Sequence, residues 1–128
     1  MLVLEAGTAP LRAFLSERDG ERMVSSVLVR TELRRATLRF GARTDVTREQ
    51  TQNAAQGVTA LLRTLDLVRV SSSLLDDAGQ QLPPQLRSLD AIHLATALVL
   101  GSPLRAVVAY DHRLLDAARD AGLPTAAP

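Results

Sequence analysis

From Ala91 to Leu100 only His93 and Thr96 interrupt an apolar run, and Gly101 and Pro103 then stop it. A helix that is apolar nearly all round has no face to give to water, so it must lie inside a domain with structure on every side. Ser88 is placed to cap this helix. Arg105 to Ala109 follows as a buried strand, Asp111 to Ala121 as a helix and Pro124 to Ala126 as a last short strand. Whatever else the chain builds has to enclose this helix.

The upstream sequence supplies the enclosing layers. Ala9-Pro10 with Leu11, Phe14 and Leu15 reads as a short amphipathic helix ending near Asp19-Gly20, and Arg22 to Ser25 as a short strand. From Ser26, the spacing of Val29, Leu33, Ala36 and Phe40 draws one apolar stripe down a helix that stops at Gly41. Thr47-Arg48-Glu49-Gln50 has the spacing of a capping box, which predicts a helix to about Arg63. Leu67 to Val70 is a short strand. Ser73-Leu74-Leu75-Asp76 is a further possible cap, for a helix that fades near Gly79 before Pro83 and Pro84 break the chain. Strands alternating with helices predict an α/β domain with a parallel sheet covered on both faces.

At 128 residues the chain is long enough for one core and too short for two. Its hydrophobic and charged fractions, 46% and 23%, are those of an ordinary globular domain. No apolar run reaches the roughly 18 residues a membrane span needs, and Met1 to Glu5 is too short and too soon acidic for a signal peptide, so the expected compartment is the cytoplasm. With Cys 0, disulfides, thiolate nucleophiles and cysteine zinc sites are excluded together. The chain has no lysine, so its positive charge is all arginine. That excludes a Walker-type phosphate loop and a receiver domain. Arginine suits bidentate phosphate contacts and leaves nucleic acid open as a partner, although a genome rich in arginine codons gives the same composition.

Three carboxylates sit where this layout would let them converge. Glu32 lies about 60° from the apolar stripe of its helix, at the border of the buried face. Asp90 is in the first turn of the apolar helix, and Asp111 directly follows the strand that ends near Tyr110. Ligands of parallel α/β sheets collect at the carboxyl ends of the strands, the edge to which both aspartates belong. Crowded carboxylates repel unless a cation neutralises them, and a hard ion such as Mg²⁺ or Mn²⁺ suits oxygen donors and leaves room for water and phosphate. That is nuclease chemistry. Blander roles compete. Asp90 could merely favour its helix dipole, Asp111 could merely cap a helix, and Glu32 could merely pair with Arg30 or Arg35.

At these same residues the sequence resembles the VapC branch of the PIN-domain family over nearly the whole chain. Ser25 to Leu33 is similar to the segment carrying the family's second acidic residue. Arg87-Ser88-Leu89-Asp90-Ala91-Ile92-His93-Leu94-Ala95-Thr96-Ala97, the most specific match, carries the third, and Tyr110 to Leu114 the fourth. Ala121-Gly122-Leu123-Pro124 resembles the closing turn. The resemblance implies a PIN-like three-layer α/β/α fold, catalytic and metal-binding roles for Glu32, Asp90 and Asp111, and dependence on Mg²⁺ or Mn²⁺. It further implies endonucleolytic cutting of structured RNA, homodimerisation and a cognate VapB-type antitoxin.

The departure is at the start. Family members open with an apolar strand ending in an aspartate, and only then reach a segment like Leu2 to Gly7. By comparison Glu5 is misplaced to substitute for that aspartate. The resemblance puts the family's first strand at the centre of the sheet, between those corresponding to Arg22–Ser25 and Arg105–Ala109. Met1 is therefore expected to be a misassigned start or a truncation. The alternative to an active nuclease is a catalytically inactive PIN remnant that binds antitoxin or RNA, and a small-molecule α/β domain ranks last for want of a glycine-rich phosphate fingerprint.

Other residues carry weaker signals. Arg30, Arg34, Arg35 and Arg39 crowd the helix bearing Glu32 and could hold an RNA backbone, offer the same surface to an antitoxin tail, or simply face solvent. His93 is three residues after Asp90, a ligand spacing, but on so apolar a helix it reads better as a hydrogen-bonded core histidine. His112 reads as an exposed turn residue. Thr31 and Ser25 could orient Glu32 or a metal-bound water. With Phe14, Phe40 and Tyr110 as the aromatics, base stacking is not expected to dominate recognition.

Overall fold

The computed structural model describes residues 22–109 and 111–127, so the helix expected between Ala9 and Gly20 lies outside the described residues. Strand β1 (Val24–Ser26) is followed by helices α1 (Val29–Gly41) and α2 (Arg48–Thr64), strand β2 (Asp66–Val68), and helices α3 (Ser72–Gly79) and α4 (Ser88–Leu100). Strand β3 (Val107–Val108), helix α5 (His112–Asp120) and strand β4 (Thr125–Ala126) complete the order. The alternation is the expected one, and the strands are shorter than expected.

Local chemistry explains most boundaries. Helix α1 begins at Val29 rather than Ser26, because Ser26 Oγ accepts the Leu28 N–H (3.3 Å) and closes a turn after β1. Its buried residues are Val29, Leu33 and Thr37, so the stripe is rotated away from Ala36 and Phe40, which stay partly exposed. Thr37 tolerates burial by donating its hydroxyl to the Leu33 carbonyl (3.0 Å). The capping box of α2 forms as expected, with Gln50 N–H donating to Thr47 Oγ1 (3.1 Å) and Thr47 N–H to Gln50 Oε1 (2.8 Å). The cap of α3 is Ser71, not Ser73, and it accepts the Leu74 N–H (3.1 Å). Ser88 is the first residue of α4 instead of its cap, and Arg87 in the cap position offers no side-chain bond. At the far end Gly101 has φ 63°, a conformation that L side chains rarely adopt, and stops the helix.

The expected single sheet is divided among the described residues into two parallel pairs, β1–β2 and β3–β4. Flanking bonds fix the parity of each ladder. Asp66 N–H donates to Met23 C=O and Val27 N–H to Val68 C=O, so Met23, Ser25 and Val27 turn their backbone groups to β2 and those of Val24 and Ser26 point the other way. Val107 N–H donates to Pro124 C=O and Ala109 N–H to Ala126 C=O, which likewise turns the backbone groups of Val108 away from β4. These are the two edges between which the resemblance places the family's first strand.

Side chains join what the strands do not. On one face Val108 packs with Val29 and Leu33 of α1, Val58 of α2 and Leu65. On the other, Val107 and Ala109 pack with Leu94 and Ala97 of α4 and with Leu114, Leu115, Ala117 and Ala118 of α5. Helix α3 adds Leu74 and Ala78 against Ala91 and Ala95, outside α4. The result is a three-layer α/β/α domain in which α4 touches β1, α3 and α5.

Burying a leucine side chain contributes about 1.5–3 kcal/mol, whereas exposed ion pairs such as Arg22–Asp66 (2.9 Å) contribute about 0–1 kcal/mol. Apolar burial around α4 therefore dominates. Leu94→Ala, at a fully buried position, is expected to lower unfolding free energy by about 2–5 kcal/mol in urea melts. Thr47→Ala, which removes only the α2 cap, should cost about 1 kcal/mol. Equal costs would contradict the central place given to α4.

Candidate active site

Each of the three acidic residues is delivered by a different element. Glu32 stands in the first turn of α1, beside the buried Leu33, and its side chain keeps 23% exposure. Asp90 stands in the first turn of α4 and is partly exposed. Asp111 follows β3 at its carboxyl end and caps α5, accepting the Arg113 N–H at 2.8 Å. The capping role proposed for Asp111 is thus real, and it engages only Oδ1.

Asp90 reports how these groups sense one another. Its pKa is raised above the ordinary aspartate value, first by burial and next by the negative charge of Asp111. Glu32 pushes in the same direction, while His93 and Arg87 oppose. An aspartate that merely favoured its helix dipole would be shifted downwards. Here burial and two neighbouring carboxylates outweigh the dipole, so all three acids lie within one electrostatic neighbourhood.

Glu32 does not rely on Arg30 or Arg35. Its Oε1 is paired with Nε2 of His93, which is fully buried in the middle of α4. His93 is accordingly the hydrogen-bonded core histidine expected from its apolar helix. Its partner is what sequence reasoning missed, although the i, i+3 spacing from Asp90 already placed it on the face of α4 that carries an acid. Ser25 is fully buried, its Oγ has no hydrogen-bond partner among the described residues and makes no bond to Glu32, and Thr31 is exposed. His112 is exposed, as expected.

Arg30, Arg34, Arg35 and Arg39 are all exposed on α1. Arg34 is tied to α2 through a bond from Nη2 to Thr59 Oγ1 (3.2 Å). Arg35 and Arg39, at i and i+4, share a different strip of the helix surface from Arg30 and Arg34.

Among the described residues, no three Asp, Glu or His side chains converge closely enough to hold one metal ion together. The donors are nevertheless of one chemical kind, hard carboxylate oxygens, and Asp90 carries the repulsion of the other two. A hard divalent cation needs only one or two protein carboxylates, completing its shell with water and phosphate oxygens. The residues present fit such a hydrated ion and do not form a dry cage.

The PIN domain model matches residues 4–120 of the chain. The chain belongs to the PIN-domain family. It is 41% identical over 128 residues to ribonuclease VapC46 of Mycobacterium tuberculosis and 38% identical over 130 residues to ribonuclease VapC47 of the same species. Ribonuclease VapC35, also from Mycobacterium tuberculosis, is 35% identical over 130 residues. Each alignment takes in 100% of this chain and 89% of the relative, which makes this PIN domain a VapC-type member. No solved structure matches it.

The crowding in this PIN domain has a stability signature. With its folded pKa raised, Asp90 costs nothing below its unfolded pKa, works increasingly against the fold as pH rises from there, and exacts its full cost above the folded value. In metal-free protein at pH 7, Asp90→Asn is expected to raise the melting temperature by up to a few degrees, a gain that shrinks as the pH falls towards 4. A lower melting temperature would mean that the helix dipole outweighs the crowding.

Proposed function

We propose that this VapC-type PIN domain is a metal-dependent endoribonuclease, the toxin of a VapBC-type toxin–antitoxin pair, with Glu32, Asp90 and Asp111 as its catalytic and metal-holding residues. The observation that carries the reading is the upward shift of Asp90 under the charges of Asp111 and Glu32, because mutually repelling half-buried carboxylates are what a divalent cation relieves. The relatives support it, being themselves named ribonucleases.

Bound Mg²⁺ or Mn²⁺ would lower the pKa of a water and offset charge on the phosphate under attack. The residues of the chain do the rest. Asp90 and Asp111 present oxygens from the N-terminus of α4 and the carboxyl end of β3, and Glu32 adds a third from α1. Buried Leu33 and Leu94 hold these backbones in place, which keeps the acids pre-organised. Arg30, Arg34, Arg35 and Arg39 would grip RNA phosphates on the same helix as Glu32.

A cognate VapB-type antitoxin, a homodimer and the cytoplasm complete the proposal. No helix among the described residues is long and apolar enough to cross a membrane. The second reading, an inactive PIN remnant that binds RNA or antitoxin, is favoured by the lack of three converging donors among the described residues.

Incubation of the chain with structured RNA separates the two. Cleavage should appear with Mn²⁺ or Mg²⁺, stop with EDTA, and fall by about a hundredfold or more in Asp90→Asn and in Asp111→Asn, with the fold intact by circular dichroism. RNA binding that survives EDTA with no cleavage in Mn²⁺ would establish the binding module instead. For the arginines, Arg35→Ala with Arg39→Ala should weaken RNA binding and flatten its salt dependence by about one unit of slope per lost phosphate contact. An unchanged slope would return them to a solvated face.

A further inference from the structure

His93 is the one fully buried titratable side chain in the core of the described residues, and an apolar residue would fill its place on α4 without loss of polar hydration. Its Nε2 meets Glu32 Oε1 across 61 residues of sequence, whereas its Nδ1 is buried with no partner among the described residues. A carboxylate oxygen accepts, so Nε2–H is the donor of this pair, and the ring makes no second hydrogen bond among the described residues. The histidine therefore acts as a single donor aimed at one carboxylate oxygen.

Glu32 needs such a donor. Its side chain has three rotatable bonds and retains 23% exposure. Untethered, it would sample several rotamers at an entropic cost on every occasion it was needed. The His93 contact engages Oε1 and leaves Oε2 as the oxygen with no hydrogen bond among the described residues. Asp90 sits one turn earlier on the same helix and feels the charge of Glu32. Helix α4 thus carries one acid of the site and the group that fixes another.

Resting on the nuclease reading above, we infer that His93 is the positioning residue of the site: its Nε2–H holds Glu32 so that one carboxylate oxygen faces the hydrated cation, through its water shell, beside Asp90 and Asp111. His93 touches neither substrate nor cation. Residues that hold a metal-binding carboxylate in this way typically alter metal affinity or activity by about 10–100-fold when replaced.

Three variants separate positioning from packing. The amide nitrogen of Gln reaches the place of Nε2, that of Asn reaches only the place of Nδ1, and Leu offers no donor. Mn²⁺ binding to the metal-free chain, read from the electron paramagnetic resonance signal of free Mn²⁺, should weaken about 10–100-fold in His93→Leu and His93→Asn and stay within about threefold of native in His93→Gln. RNA cleavage should follow the same order through kcat, with little change in KM. In a Glu32→Gln background, His93→Asn should have no further effect on Mn²⁺ affinity, which keeps the test available if His93→Leu does not fold. Mn²⁺ affinity that is the same in His93→Leu, His93→Asn and native protein would overturn the inference and leave His93 a packing residue, while the nuclease reading would stand. A native chain that takes up no Mn²⁺ and cuts no RNA would overturn the nuclease reading itself, and the inference with it.

Discussion

Burial of α4 is the constraint to which the other elements answer. Among the described residues the strands form two separate parallel pairs, and what spans them is side-chain packing: α4 against β1 and, through Leu94 and Ala97, against Val107 and Ala109 of β3. Leu94 and Ala97 are completely enclosed, and so are His93 and Thr96. A helix in this position cannot shift without opening the cores on both of its sides, so its first turn is a fixed point in the molecule. Asp90 is in that turn.

Fixing an acid there has an electrostatic consequence. A carboxylate in the first turn of a helix would ordinarily gain from the dipole, yet Asp90 is shifted the other way by burial and by the charges of Asp111 and Glu32. The fold holds those charges together because each stands on an element that cannot retreat: Glu32 next to Leu33 in the α1 core, Asp111 at the end of β3 and engaged in capping α5. Local stability is given up at the place where a cation would restore it. Such a conflict between fold and charge is what the proposed binding of a divalent ion would relieve.

Much of this was legible in the sequence, for identifiable reasons. The apolar surface of Ala91 to Leu100 predicts a buried helix, and the Thr47/Gln50 spacing predicts a capping box, because each depends on residues close in the chain. The three acids stand out in the sequence by their places at element ends. What escaped depends on contacts between distant residues. The stripe of α1 turned towards Thr37 because that hydroxyl satisfies itself on the Leu33 carbonyl, which no hydropathy pattern reveals. Ser71 rather than Ser73 caps α3, a choice among neighbouring serines that only the path out of β2 decides. The Glu32–His93 pair, 61 residues apart, has no local signature. The partners of the described strands, some only two residues long, also escaped, because so short a strand has no periodicity to fix its pairing.

The central claim is that Asp90, Asp111 and Glu32 form one electrostatic site that a divalent cation relieves. The most direct measurement follows the Asp90 side-chain carboxyl by carbon-13 NMR through a pH titration, first metal-free and then with saturating Mg²⁺. The account predicts a metal-free pKa above the ordinary aspartate range and a clear fall when Mg²⁺ is added. An ordinary pKa that Mg²⁺ leaves unmoved would contradict it.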